Sequence, residues 1–168
     1  MSKRLYLQNL CNKYGDFLVT TSIKEGSEIK WYKHRSVMDC WSDENKLHFL
    51  DEATHRTPHP HEVVLDFDDN PTAYKITKVC EELENLGFKY VAFFTGSRGY
   101  HVHIIDLNLN KEERDILITK FGAEDLKKSD KSMVALEFTP HWKTGKNKTM
   151  IRSYPKRLGE ELWQLWKD

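Results

Sequence analysis

Asp66 and Asp68, in the run V-V-L-D-F-D-D, and Ser97, Arg98, His101 and His103, in T-G-S-R-G-Y-H-V-H-I, are side chains whose types and spacing suit chemistry. Read as a strand, the first run projects both aspartates from one face and Leu65 and Phe67 from the other. Two neighbouring carboxylates repel unless a cation lies between them, and a hard divalent ion with oxygen ligands is the simplest occupant. The second run alternates too: His101 and His103 share a face, and Tyr100, Val102 and Ile104 share the opposite one. Gly96 and Gly99 bracket Ser97 and Arg98 in a turn where backbone amides can approach an anion. One half therefore reads as a metal site and the other as a phosphate site. Acidic strand ends are common, and two histidines can simply face solvent; the combination at this spacing is what singles out a site. Asp69 reads as a turn or cap residue.

The elements that must position these residues follow from periodicity and punctuation. Residues 3–15 suit a short helix, and F-L-V-T-T-S-I, the turn K-E-G-S and E-I-K-W-Y-K-H suit a hairpin. A helix is expected over 43–51 with Ser42 as its cap. After the acidic strand, Asn70 is the expected N-cap with Pro71 in the first turn. Ile76, Val79, Cys80, Leu83 and Leu86 then recur at helical spacing before Gly87. F-K-Y-V-A-F-F and Y-H-V-H-I-I read as strands. Asn110 and Glu113 form a capping-box pattern for a helix closed by Gly122. M-V-A-L-E-F reads as a strand that would carry Glu137, and T-M-I-R-S-Y as another. From Val63 the order is strand, helix, strand, strand, helix, strand. That predicts an α+β fold of the ferredoxin-like or RRM-like split β-α-β type, an antiparallel sheet with helices on one face and the other face free to hold a site.

At 168 residues the chain suits a single domain: an N-terminal α/β extension over 1–62, a core over 63–157 and an amphipathic C-terminal helix over 158–168 that packs back or docks a partner. With 39% hydrophobic and 12% aromatic residues it can build a core, which argues against disorder. No apolar run approaches the roughly 18 residues of a membrane span, and no signal-peptide core follows the N-terminus, so no membrane role and a cytoplasmic location are expected. Cys11, Cys40 and Cys80 are scattered and odd in number, which suggests reduced thiols rather than a disulfide framework. His55, His59 and His61 crowd a loop with two prolines, but that loop has no fixed ligand geometry and no nearby cysteine, so no zinc is expected. Net charge is zero, yet from Lys127 to Arg157 there are nine Lys/Arg against two acids, Asp130 and Glu137. The acidic strand and the basic last third are thus segregated.

D-F-D-D followed about 30 residues later by T-G-S-R-G-Y-H-V-H-I resembles the first two motifs of the archaeo-eukaryotic primase superfamily. The resemblance implies a metal-dependent, template-directed nucleotidyltransferase that makes or extends primers on single-stranded DNA from NTPs or dNTPs. It implies Asp66 and Asp68 as metal ligands and Ser97, Arg98 and His101 as phosphate contacts, with His103 beside them. W-Y-K-H-R-S-V-M-D-C-W resembles the segment that precedes the acidic motif in archaeal small primase subunits, which points to Arg35 as a nucleotide contact. Leu136-Glu137 resembles the later carboxylate motif, with Glu in place of the more common Asp, and would complete a site for Mg²⁺ or Mn²⁺, most simply two ions. Lys143 and Arg152 are candidate nucleotide contacts. Trp142, Lys146 and Lys148 are candidate nucleic-acid contacts, with Tyr154 as a further stacking surface. The chain lacks the zinc insertion and helical subdomain of larger family members and so resembles a minimal catalytic core; the resemblance implies a large primase subunit or another replication or repair protein as partner.

Nucleotidyl transfer calls for clustered carboxylates on rigid backbone, since ions held there stabilise the attacking and leaving oxygens, and Asp66, Asp68 and Glu137 on adjacent strands would meet that need. Arg98 and His101 would offset charge on the departing pyrophosphate. Two other readings remain open. One is a primase-like module that binds nucleotides or single strands without catalysis. The other is a replication-initiator nickase with a His-hydrophobic-His metal pair; it is disfavoured because the Y-K-I-T-K segment at Tyr74 precedes the histidines instead of following them.

Overall fold

The computed structural model describes residues 2–124 and 132–168, and is mixed α+β with antiparallel sheets. In chain order the elements begin with α1 (Lys3–Tyr14), β1 (Leu18–Thr20), β2 (Ser22–Glu25), β3 (Glu28–Trp31), β4 (Arg35–Ser36), α2 (Val37–Trp41) and α3 (His48–Asp51). They continue with β5 (His55–Arg56), β6 (Val63–Phe67), α4 (Ala73–Asn85), β7 (Lys89–Phe94), β8 (Tyr100–Ile105) and α5 (Lys111–Lys120). The chain closes with β9 (Val134–Ala135), β10 (Thr149–Tyr154) and α6 (Lys156–Lys167).

The central sheet has the order β10-β7-β8-β6, so β8 lies between the two strands that α4 connects. This is the split β-α-β unit expected from the element order. Val63, Leu65 and Phe67 of β6, Tyr90 and Ala92 of β7, and Val102 and Ile104 of β8 pack against Ile76, Val79, Cys80 and Leu83 of α4 and Leu117 and Ile118 of α5. The four α4 positions follow the i, i+3, i+4, i+7 stripe that turns one helix face to a sheet. Gly87 ends α4 with φ +76°, while Phe88 N–H donates to Leu83 O and Gly87 N–H to Glu84 O, a Schellman closure. α5 starts with the expected capping box of Asn110 and Glu113.

The local structure differs from expectation at four points. The hairpin strand expected over 17–23 is divided: β1 pairs with β4 and β5, and only β2 pairs with β3. The cap of α4 is Thr72, whose hydroxyl accepts from Lys75 N–H, while Asn70 takes φ +51° in the preceding turn. Residues 43–51 do not form one helix: Glu44–Lys46 is a 3₁₀ turn capped by Asp43, and α3 is four residues long. The unexpected α2 is organised from a distance, since Asp16 accepts from Ser36 Oγ at 2.6 Å and from Met38 N–H at 3.1 Å.

The second face of the central sheet is not free. A small sheet of order β4-β1-β5-β9 forms a second layer, with its own core of Tyr6, Leu7, Leu10, Phe17, Val19, Val37 and Leu50. α6 turns Leu162 and Trp166 onto both this core and the one formed by Val91, Phe93, Phe138 and Leu158. The tail helix thus packs back on its own chain. This double coverage buries every residue of β6, Asp66 included. No helix among the described residues is long and apolar enough to cross a membrane.

Candidate active site

Asp66 lies directly across from His101 in the β6–β8 ladder, so the two polar side chains meet on the sheet face away from α4. His101 Nε2 is 3.3 Å from Asp66 Oδ1. Asp68, just past the end of β6, is exposed, and its side chain fills the space left by Gly99: a Cβ there would lie 2.5 Å from Asp68 Oδ1. Asp66, Asp68 and His101 consequently offer ligand atoms that all lie within 4.8 Å of one another. Burial, with the nearby Lys148 charge, pushes the His101 imidazole down to about 4, so the ring is neutral at pH 7. Its Nδ1 is buried with no hydrogen-bond partner among the described residues. Two carboxylates and a neutral imidazole whose buried Nδ1 is unsatisfied fit a divalent cation.

The Ser97-Arg98 turn borders this cluster, with Ser97 half-buried and Arg98 exposed. Thr95 Oγ1 and its N–H both donate to Gly99 O at 3.1 Å, which closes the turn. Gly96 has φ +91°, and a Cβ there would lie 2.3 Å from Lys146 O, so glycine is required for the basic turn at 140–147 to seat against it. Thr144 Oγ1 donates to Gly96 O at 2.5 Å. This brings His141 near Asp68, and Trp142, Lys143 and Lys146 into its neighbourhood as exposed groups.

Other expected site residues lie elsewhere. Glu137 is in a turn after the two-residue β9 and is outside the Asp66-Asp68-His101 group. Its carboxylate accepts from Arg56 Nη2 at 2.8 Å, Arg56 Nε at 3.3 Å and Tyr6 OH at 3.0 Å, and the Arg56 and Lys148 charges hold it far below the usual carboxylate range. The expectation that it completes the metal site is therefore corrected: its oxygens are committed to cations of the protein.

Lys148 does not face nucleic acid, because it is 1% exposed. Its Nζ donates to Ala135 O at 2.8 Å and to His103 Nε2 at 3.1 Å, and burial pushes its pKa down to about 8. His103 has both nitrogens engaged, since Nδ1 is 2.6 Å from Glu62 Oε1. An ammonium only donates and a carboxylate only accepts, so the ring is the neutral Nδ1–H tautomer. It has no free nitrogen for phosphate or for a metal shared with His101, which removes the geometric basis of the nickase reading. Arg152 is opposite Ala92 in the β10–β7 ladder, on the helix side, and donates to Glu84 Oε1 at 2.8 and 3.0 Å. It is on the wrong face to meet Asp66. Arg35 lies on the outer small sheet with its guanidinium 3.6 Å from the Phe49 ring centroid. Tyr154 is exposed on the edge strand β10.

The group that sequence reasoning missed is Arg56 with Glu62. Arg56 is 2% exposed and bridges Glu62 and Glu137, with Nη1 to Glu62 Oε2 and Nη2 to Glu137 Oε1 both at 2.8 Å. The only signal in the sequence was a charged pair inside the T-H-R-T-P-H-P-H-E loop. The loop's histidines do not gather: His59 stacks on Tyr14 and meets Phe17, His61 Nδ1 is 3.1 Å from Leu107 O, and His55 approaches Thr54.

This buried network makes stability pH-dependent. Burial holds His59 and His103 at about 4, aided by the Arg56 charge for the first and the Lys148 charge for the second, against 6.5 in the unfolded chain. Between those values the unfolded chain takes up protons that the folded chain refuses, so stability present at neutral pH is lost as pH falls from about 6.5 toward 4. Together the two rings should lower stability by roughly 3 kcal/mol between pH 7 and 5, read as a shift of the urea midpoint. An unchanged midpoint would mean that the rings are solvated.

No family model matches the chain, and no curated protein does. Among solved structures, the polymerase domain of Ligase D from Mycobacterium tuberculosis, in complex with DNA, is similar in fold. Its TM-score is 0.50 at 12% identity, over 90% of this chain and 71% of that one.

Proposed function

We propose that this chain is a metal-dependent nucleotidyltransferase that makes or extends primers on a single-stranded DNA template. The observation that carries this reading is the convergence of Asp66, Asp68 and His101 beside the Gly96–Gly99 turn. The fold, similar to that of a polymerase domain whose structure includes DNA, supports it.

In this reading Asp66, Asp68 and the neutral His101 hold a divalent cation, Mg²⁺ or Mn²⁺. When bound, that ion supplies Lewis-acid stabilisation of charge on the phosphoryl oxygens. The turn amides and the Ser97 hydroxyl bind the triphosphate, and Arg98 reaches it from solvent as a charge-assisted donor. The 3′-hydroxyl gives up its proton to solvent as it attacks the α-phosphate, and the P–O bond to pyrophosphate breaks. Arg98 binds the leaving group, where negative charge accumulates. Lys148 and Arg56, behind the site, balance Glu62 and Glu137 and so keep the buried wall neutral.

A second reading has one observation in its favour. With Glu137 occupied by Arg56, two carboxylates remain at the site, a donor set that also suits nucleotide or single-strand binding without transfer. Incorporation of labelled nucleotides on a single-stranded template, with Mg²⁺, with Mn²⁺ and with EDTA, separates the two. Metal-dependent product, with or without a primer, is the expected result. Metal-dependent nucleotide binding without product would instead establish the binding module.

A further inference from the structure

Outside the carboxylate cluster, a basic and aromatic surface forms where the β2–β3 hairpin approaches the 140–147 turn. Lys24 Nζ lies 5.9 Å from the Trp142 ring centroid and Lys143 Nζ lies 4.9 Å from it. In the hairpin register Ser22 opposes Trp31 and Lys24 opposes Ile29. Lys24 and Trp31 are therefore diagonal neighbours on one face of the hairpin, about 7–8 Å apart, and Lys24 reaches from that face toward Trp142. Trp31 sets its ring against His55 with centroids 4.7 Å apart, yet it remains 50% exposed; Trp142 is 38% exposed. Among the described residues Lys24, Lys143 and Lys146 have no carboxylate partner. Exposed indoles flanked by uncompensated lysines suit a polyanion that also offers flat apolar rings.

We infer that this surface is a stacking platform for a single-stranded nucleic acid, with bases on Trp142 and Trp31 and phosphates at Lys24, Lys143 and Lys146. The partner class rests on the polynucleotide reading of the adjoining site; Lys24 and Trp31 are residues which that reading does not use. The turn that carries Trp142 is seated on Gly96, and His141 within it feels the Asp68 charge, so a strand on the platform runs directly up to the candidate site. A duplex presents phosphates but keeps its base faces stacked inside, so two exposed indoles favour unpaired bases.

The test is fluorescence anisotropy of a labelled oligothymidylate against salt, with intrinsic tryptophan quenching as a second readout. Trp31→Ala should weaken binding about tenfold, and Trp31→Phe, which keeps a ring for stacking, should restore most of it. Lys24→Ala/Lys143→Ala should reduce the salt slope by about 1.4, two phosphates' worth for a single strand. Lys89→Ala, remote and paired with Asp106, should bind as the native chain does. Native affinity in both Trp31→Ala and the double lysine variant would overturn the platform, as would equal binding of a duplex or preferential binding of anionic vesicles. If the native chain incorporates no nucleotide while these variants lose single-strand affinity, the polymerase reading falls and the platform stands. Incorporation with unchanged affinity in the variants removes the platform alone.

Discussion

Asp68→Asn should lower metal-dependent nucleotide incorporation about a thousandfold while leaving the fold intact. An ion held at the site supplies several kcal/mol of transition-state stabilisation, and about 4 kcal/mol corresponds to that factor. Asp68 is exposed and past the end of its strand, so replacing its charge with an isosteric amide disturbs no buried partner. Asp66→Asn should be equally inactive, but it also alters the neighbour of a buried imidazole, so its thermal midpoint must be measured alongside. Activity within tenfold of native in Asp68→Asn would sink the assignment. Glu137→Gln gives the contrast. Its carboxylate neutralises Arg56 and Lys148, so loss of that charge should lower stability at least as clearly as activity. A Glu137→Gln chain as stable as native but inactive would return Glu137 to the metal site.

Arg56→Met should destabilise the protein by about 3–5 kcal/mol, measured by urea unfolding at pH 7. The guanidinium is 2% exposed and serves two carboxylates that are themselves 3% and 1% exposed. Removing it takes away five donors and leaves both carboxylates buried without them. The deficit should narrow as pH falls. In the variant the unpaired carboxyls are raised and pick up protons that relieve them. In the native chain both are depressed, so the stability they contribute above about pH 4.5 is lost only as pH falls toward their low folded values. A deficit below 1 kcal/mol would mean that solvent reaches the network.

Much of the local architecture was legible. α4 and α5 announced themselves through one apolar stripe or a capping box followed by glycine, and the β2–β3 hairpin through its K-E-G-S turn, although the strand expected over 17–23 is divided between β1, which pairs with β4 and β5, and β2. These signals are carried by residues within one or two turns of one another. Where the deciding partner is remote, reading failed: α2 depends on Asp16, twenty residues before Ser36. At 43–51 and at Asn70, several adjacent residues can each cap a turn, and packing chose among them.

The same division runs through the candidate site. By itself the sequence determined that Asp66 lies in an acidic strand with Asp68 at its end, and that Ser97 and Arg98 lie in a glycine turn with His101 on the strand after it, because period-two alternation fixes which strand side chains share a face. The antiparallel register that sets Asp66 against His101 then follows from the pairing of β6 with β8. Only the tertiary structure decided what becomes of the remaining polar residues. Glu137, Lys148, His103 and Arg152 look alike in a linear sequence as charges near strands. A second layer over the sheet buries the first three, and a buried charge must find an opposite charge or a donor. Arg56, 81 residues from Glu137, supplies it for the carboxylate. The β10 register turns Arg152 to the opposite face, where Glu84 takes it. Which charges neutralise one another and which remain for a ligand is settled by three-dimensional proximity, and no spacing along the chain encodes that.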